Sequence, residues 1–510
     1  MPENTKYRVT LKPLQVELTA SRGTSLRDLL FAQGVEFPCG GQGRCRGCRI
    51  RVLDGTVEVN AAQRERLSAD ELASGWRLAC QCSLESDLTI ELRQWDAAIL
   101  VDDTPFAFAP REGFGVAVDL GTTTLAAQLL DLSTARVLAV ATALNSQARF
   151  GADVMSRVNF ALEDGGQDQL CDLIRLQIGG LITQLVYAAR VPEAEIRDVV
   201  LVGNTVMHHL FCGLDVEPLS RYPFESEHLG LQTLDTDGWG WKPKARPRVR
   251  FLPCLGGFVG SDILAGILAT RLGERDDLNA LVDLGTNGEI VIGNRERLLC
   301  ASTAAGPAFE GARISMGMRA STGAISEVRV MGQEIECRVL GHVPPQGLCG
   351  SGLVDAVAAG LELGRIQPSG RFANGTGVWE LSPPVVLTQS DIRELQLAKG
   401  AIAAGIRTLL DQLDAASSDL KKVYLAGAFG NYINRASAER IGLIGFPPDK
   451  VEAAGNTALL GAKLALFRPD GDDGTFAGLR SRIRHVALNA DAGFQEVFVE
   501  EMSFPLKTFA

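Results

Sequence analysis

The strongest constraint in this chain is the stretch Phe37–Cys48, which reads FPCGGQGRCRGC. It sets Cys39, Cys45 and Cys48 at C-x5-C-x2-C spacing on a glycine-rich loop, and a fourth thiol, Cys80, follows in the segment RLACQC. Three cysteines on one loop and one further along the chain is the pattern that holds a [2Fe–2S] cluster. Such a loop must wrap four sulfurs and two irons with its amides pointing inward, and glycines permit that close approach. Arg44, Arg46 and Arg49 add positive charge around an anionic group. A structural zinc site ordinarily shows paired C-x2-C knuckles or histidines. Here one C-x2-C occurs and no histidine precedes His208. Cys82 competes for the fourth position, and Cys80 is preferred.

Around the loop, residues 7–19 alternate apolar and polar side chains and read as a two-stranded hairpin. Residues 24–33, TSLRDLLFAQ, start with Thr and Ser and space their apolar residues as a short helix. Strands are expected at 49–53 and 87–92. This order resembles the β-grasp ferredoxins over about residues 4–94, and the C-x5 gap resembles their adrenodoxin-type branch. Residues 95–112 carry two prolines without a clear period and read as a linker. The expected domains are therefore 1–94, an α+β ferredoxin, and 113–510.

At Gly113 the pattern changes. GFGVAVDLGTTTLAAQLLDL predicts a strand, a tight turn and a second strand. The turn Asp119–Thr124 offers a glycine, three hydroxyls and a run of amides, which suits phosphate, and Asp119 can hold Mg2+ through water. NALVDLGTNGEIVIGNRERL repeats the arrangement at Asp283–Gly288, so the chain carries an internal duplication. Later, KVYLAGAFGN (422–431) runs a buried strand into a glycine bend. Strand–turn–strand twice, then this third motif, resembles the superfamily of actin, sugar kinases and heat-shock chaperone ATPases (the ASKHA fold), an α/β architecture of two lobes. The resemblance assigns phosphate contacts to Asp119, Gly121, Thr122, Thr123 and Thr124, and to Asp283, Gly285, Thr286 and Asn287, with Gly427 and Gly430 against the nucleoside. Asp283 is the better candidate to orient water or metal. AAGPAFEGARI, with Gly306, and LCGSGLVDAVA are glycine loops feeding helices whose amides can face phosphates.

Other segments read more plainly. His208 and His209 lack carboxylates at metal spacing and read as core or surface polarity. Ser261 reads as a helix N-cap, Lys399 as a solvated lysine, and FQEVFVEEMSFP (494–505) as a final alternating strand.

A ferredoxin followed by an actin-like ATPase resembles the reductive activators of corrinoid proteins. NSQARFGADVMSRV (145–158), LVGNTVMHHLF, TAAGPAFEGA, TQSDIRELQLAKGAI and AGAFGNYIN carry the likeness over nearly the whole chain. The family places a linker and a middle domain before the ATPase, whereas about eighteen residues (95–112) stand there in this reading, which leaves a homodimer without that domain's contacts. The resemblance implies a [2Fe–2S] cluster, ATP and Mg2+ as cofactors, a corrinoid protein or methyltransferase as partner, and an upstream electron donor. An ATP-driven donor to another low-potential enzyme, or a nucleotide-dependent redox-sensing scaffold or chaperone, are the competing functions.

Composition narrows the field further. A net charge of −11 argues against nucleic acid. No apolar run has the length of a membrane span, and the start MPENTKYRVT lacks signal-peptide features. Eleven cysteines without such a signal point to a reducing cytoplasm.

Overall fold

The computed structural model describes residues 6–12, 16–31, 48–92, 108–241, 246–285, 287–320, 323–340, 343–468 and 473–506. Cys39, Cys45, Thr286 and most of the expected linker lie outside them. The chain divides into two compact units, Met1–Ala98 with Pro307–Gln396, and Ile99–Gly306 with Leu397–Ala510.

In the first unit, five strands form one sheet in the order Val16–Ser21, Lys6–Lys12, Leu88–Leu92, Arg49–Asp54, Trp76–Leu78. Lys6–Lys12 pairs antiparallel with its hairpin partner and parallel with Leu88–Leu92, as a β-grasp requires. The alternation seen in the sequence is the pleat: Val9, Leu11, Ile50 and Ile90 are fully buried, with Leu26 and Leu30 of the helix Leu26–Phe31. The segment Pro307–Gln396 contributes a three-stranded sheet, a hairpin (Val378–Ser382 with Val385–Thr388) and the buried helix Gly350–Glu362.

The second unit holds the duplication. One six-stranded sheet runs Gln232–Leu234, Arg248–Phe251, Ile196–Val202, Phe114–Leu120, Thr124–Asp131, Val137–Leu144. The other runs Val451–Gly455, Lys422–Ala426, Asn279–Leu284, Gly288–Gly293, Leu298–Thr303, Ile483–His485. In each, the strand ending in Asp-Leu-Gly-Thr pairs antiparallel with the next strand and parallel with a later one. Strands covered on both faces read as continuous apolar runs, which is why VAV and ALV precede each aspartate. The helices Ser261–Thr270 and Thr457–Leu466 share one core with both sheets, through Ala117, Val200, Leu281, Val291, Ala265 and Ala462. They cross at van der Waals contact: a Cβ on Gly461 would lie 2.2 Å from the Ala265 carbonyl oxygen.

Three local expectations are corrected. Phe494–Glu501 is a helix, because Phe494, Val497 and Phe498 repeat at i, i+3, i+4, and the Asp491 carboxylate accepts from the Gly493 and Phe494 amides at its start. Ser261 is the first residue of its helix, and its hydroxyl donates to the Gly203 carbonyl. Lys399 is buried, not solvated: its ammonium donates to the Ser503 carbonyl at 2.9 Å. His208 and His209 fall in the core, where His209 bonds the Thr205 carbonyl and Ser226 and burial pushes His208 down to about 3.

Candidate functional site

Both duplicated turns bend back on themselves. The Gly121 amide donates to the Thr124 carbonyl and the Gly285 amide to the Asn287 carbonyl. Glycine is required at the first, because a Cβ there would sit 2.5 Å from the Thr124 carbonyl oxygen. The carbonyls of the first turn are occupied: Gly121 accepts from the Asn145 amide group, Thr123 from the Asn145 backbone, and Thr122 from Arg157. The Thr122 hydroxyl accepts from Asn204, which also caps the helix Thr205–Cys212. The backbone amides of Thr122 and Thr123 donate to no group among the described residues. Inward amides without acceptors are what an anion-binding turn presents.

Asp119 and Asp283 each lie one residue from the end of their strands, Phe114–Leu120 and Asn279–Leu284. Burial pushes the Asp119 carboxyl up to about 6, against a hydrogen bond from Asn456 at 2.9 Å. Burial, then the Asp119 charge, pushes Asp283 up to about 7. Asp283 accepts no hydrogen bond among the described residues. Two carboxylates that the sequence reading did not single out join them. Asp262, on the first turn of Ser261–Thr270, is raised by burial and then by the charges of Asp283 and Asp119. Glu289, directly across the ladder from Asp283, is raised by burial and then by Asp262 and Asp283. A signal for both exists: an acidic residue inside an otherwise apolar helix start, SDILAG, and strand, GEIVIG. Like charges held together in a low-dielectric pocket repel at considerable cost, so the arrangement favours a positive ion.

The third motif meets this group directly. Gly427 has φ +81°, and a Cβ on it would come 2.6 Å from Asp283 Oδ1, so only glycine lets the bend pass beside the carboxylate. Gly430 packs on Leu425 of the preceding strand, and Gly306 also adopts a positive φ. Asn456 caps Thr457–Leu466 through the Leu459 amide while its other end holds Asp119, linking helix and turn.

In the ferredoxin sheet, Cys48 and Cys80 flank paired strands, and the Ala79 amide donates to the Cys48 carbonyl at 3.0 Å, which brings the two cysteines together. Cys82 is buried, its thiol donates to the Leu78 carbonyl at 3.0 Å, and burial pushes it up to about 12. A thiolate is needed to bind iron, so this environment suits Cys82 as a protonated core thiol.

Among the described residues no helix is long and apolar enough to cross a membrane. Three family models match: the 2Fe-2S iron-sulfur cluster binding domain at 9–85, the RACo middle region at 114–275, and the C-terminal domain of RACo, the ASKHA domain, at 277–510. The expectation that a middle segment is missing is thereby overturned: it occupies residues first read as the opening part of the ATPase. The corrinoid activation enzyme RamQ of Eubacterium limosum is 35% identical, with 98% of this chain and 99% of the relative covered. The [Co(II) methylated amine-specific corrinoid protein] reductase of Methanosarcina barkeri is 28% identical over 78% of this chain and 79% of its own. A solved reductive activator for corrinoid, iron-sulfur protein superposes with a TM-score of 0.69 at 29% identity, covering 98% of both chains.

Proposed function

Because this chain belongs to the family of reductive activators of corrinoid proteins, we propose that it uses ATP to drive one electron from a [2Fe–2S] cluster onto an inactive Co(II) corrinoid protein, returning it to Co(I). The reading rests chiefly on the paired Asp119 and Asp283 turns: both carboxylates are buried, Asp119 raises the proton affinity of Asp283, and the Thr122 and Thr123 amides donate to no group among the described residues.

Cys39, Cys45, Cys48 and Cys80 would hold the cluster, which supplies a single reducing equivalent; clusters of this class sit near about −400 mV. Delivery to a lower-potential cobalt is uphill, by a factor of about ten for each ~59 mV. ATP can offset this only through different affinities for the two states of the activator–corrinoid complex. The Thr122 and Thr123 amides, with Asn287, would bind phosphate oxygens, Gly285 would shape the second turn as Gly121 shapes the first, and the family resemblance adds Thr124 and Thr286. Asp119, kept in place by Asn456, and Asp283 would take Mg2+ through water. Mg2+ keeps several waters and needs only one or two carboxylates beside phosphate oxygens. Gly306, Gly427 and Gly430 would leave room for the nucleotide.

We assign residues 1–94 to the electron-carrying domain, 95–112 to a linker and 113–510 to the nucleotide-binding part, in which the middle region carries the first turn and the ASKHA domain the second, acting in the cytoplasm with an upstream donor. The test is an anaerobic Co(II)-to-Co(I) absorbance assay with a corrinoid protein, with and without ATP. Asp283→Asn should lose ATP-dependent reduction and keep the cluster spectrum. Undiminished reduction by this variant removes the coupling.

A further inference from the structure

The segment 145–158 wraps a single buried cation. Arg157 is fully buried, and its guanidinium donates to the Gly151 carbonyl at 2.9 Å, the Gln147 side-chain oxygen at 3.3 Å, Met207 Sδ at 3.4 Å and the Thr122 carbonyl. Every one of these partners is neutral. Among the described residues no carboxylate forms an ion pair with it. Asp153, on the same segment, is the charged group it feels; its carboxylate is instead taken up by the Ser156 amide and hydroxyl. Burial lowers its proton affinity to about 9, so it remains charged at neutral pH. A buried charge without a partner is costly, and four neutral acceptors do not cancel it.

What lies on the other side of Thr122 gives that cost a purpose. Arg157 and Asn145 bind the carbonyls of Gly121, Thr122 and Thr123 from behind, and the Thr122 and Thr123 amides have no acceptor among the described residues. The peptide dipoles therefore run from the guanidinium, through the turn, to the phosphate side. Across the same site, Asp283 and Glu289 lie opposite each other on paired strands, and Asn456 holds the Asp119 carboxylate. The amides suit an anion and the carboxylates a cation, and a magnesium–polyphosphate pair satisfies both.

We propose that Arg157 is the built-in counter-charge for the nucleotide's phosphates, a positioning residue that acts through the Thr122 peptide without touching the ligand. The proposal rests on the nucleotide reading above. Its role predicts selectivity for phosphate charge over the adenosine moiety, which a purely structural arginine does not produce.

The experiment is calorimetry on the full, cluster-loaded chain with Mg·ATP and with adenosine. Arg157→Met should weaken Mg·ATP by about thirtyfold and adenosine by less than about twofold. Arg157→Lys, which keeps the charge, should recover Mg·ATP affinity to within about fivefold of wild type. Gln147→Glu sets a carboxylate against the guanidinium at the cost of the hydrogen bond to the Leu170 carbonyl. It should weaken Mg·ATP about tenfold with adenosine unchanged. Equal losses for both ligands, or unchanged Mg·ATP affinity in Gln147→Glu, overturn the proposal, and the latter decides even if Arg157→Met does not fold. A wild-type chain without affinity for Mg·ATP overturns the nucleotide reading itself, and this inference with it.

Discussion

Replacing Asp283 by asparagine should stabilise the nucleotide-free protein, the reverse of the usual effect of removing a buried polar group. The native carboxylate accepts no hydrogen bond among the described residues and sits beside Asp119, so its charge is a liability until a cation arrives. Its proton affinity rises from the ordinary 3.8 to about 7 on folding. Because the folded state holds this proton more tightly, the penalty is absent below pH 3.8, grows as pH rises, and is complete above about pH 7. At 1.36 kcal/mol per pH unit the full penalty is about 4 kcal/mol, and at pH 5 it is only about 1.6 kcal/mol. Thermal and urea unfolding in magnesium-free buffer should therefore favour Asp283→Asn at pH 8, by about 2–3 kcal/mol more than at pH 5. Adding Mg·ATP should reverse the order, since only the wild type gains from binding. A variant less stable than wild type at pH 8, or a difference that does not change with pH, would refute the reasoning.

Three further outcomes follow from individual contacts. Cys48→Ser and Cys80→Ser should each abolish the visible cluster absorbance, whereas Cys82→Ala should retain it and lose about 1–2 kcal/mol of stability from a small buried side chain. Gly427→Ala drives a methyl group onto Asp283 Oδ1 at a positive φ, and should weaken Mg·ATP at least about tenfold by calorimetry while leaving the cluster spectrum unchanged. His208, lowered to about 3 by burial, binds its proton more readily in the unfolded chain. Stability should thus fall as pH drops below about 6.5, and relative to His208→Leu the wild type should lose about 2 kcal/mol between pH 7 and pH 5 in urea unfolding.

Much of this molecule is legible in one dimension because its determinants are local. The cysteine loop must be contiguous to wrap a cluster, so its spacing survives in the chain as a pattern. The two Asp-Leu-Gly-Thr turns are equally local: each needs an apolar strand, a glycine where a Cβ would strike the Thr124 carbonyl in the first case, and a returning strand. The final helix is ambiguous in sequence because Phe494–Glu501 offers both periods within eight residues, and the cap at Asp491 decides between them. The middle region is not separable from the ATPase in the sequence because the boundary between two apolar α/β segments leaves no compositional mark.

The cluster-bearing loop, the duplicated strand–turn–strand units and the order of the parts are set by residues within a few positions of one another, and so are written in the chain itself. Which distant side chains complete the site emerges on folding. Asp262, Glu289, Asn456 and Arg157 acquire their character from burial and from neighbours brought up by other strands and helices. Electrostatic strength depends on separation and dielectric, and neither quantity exists until the chain has folded.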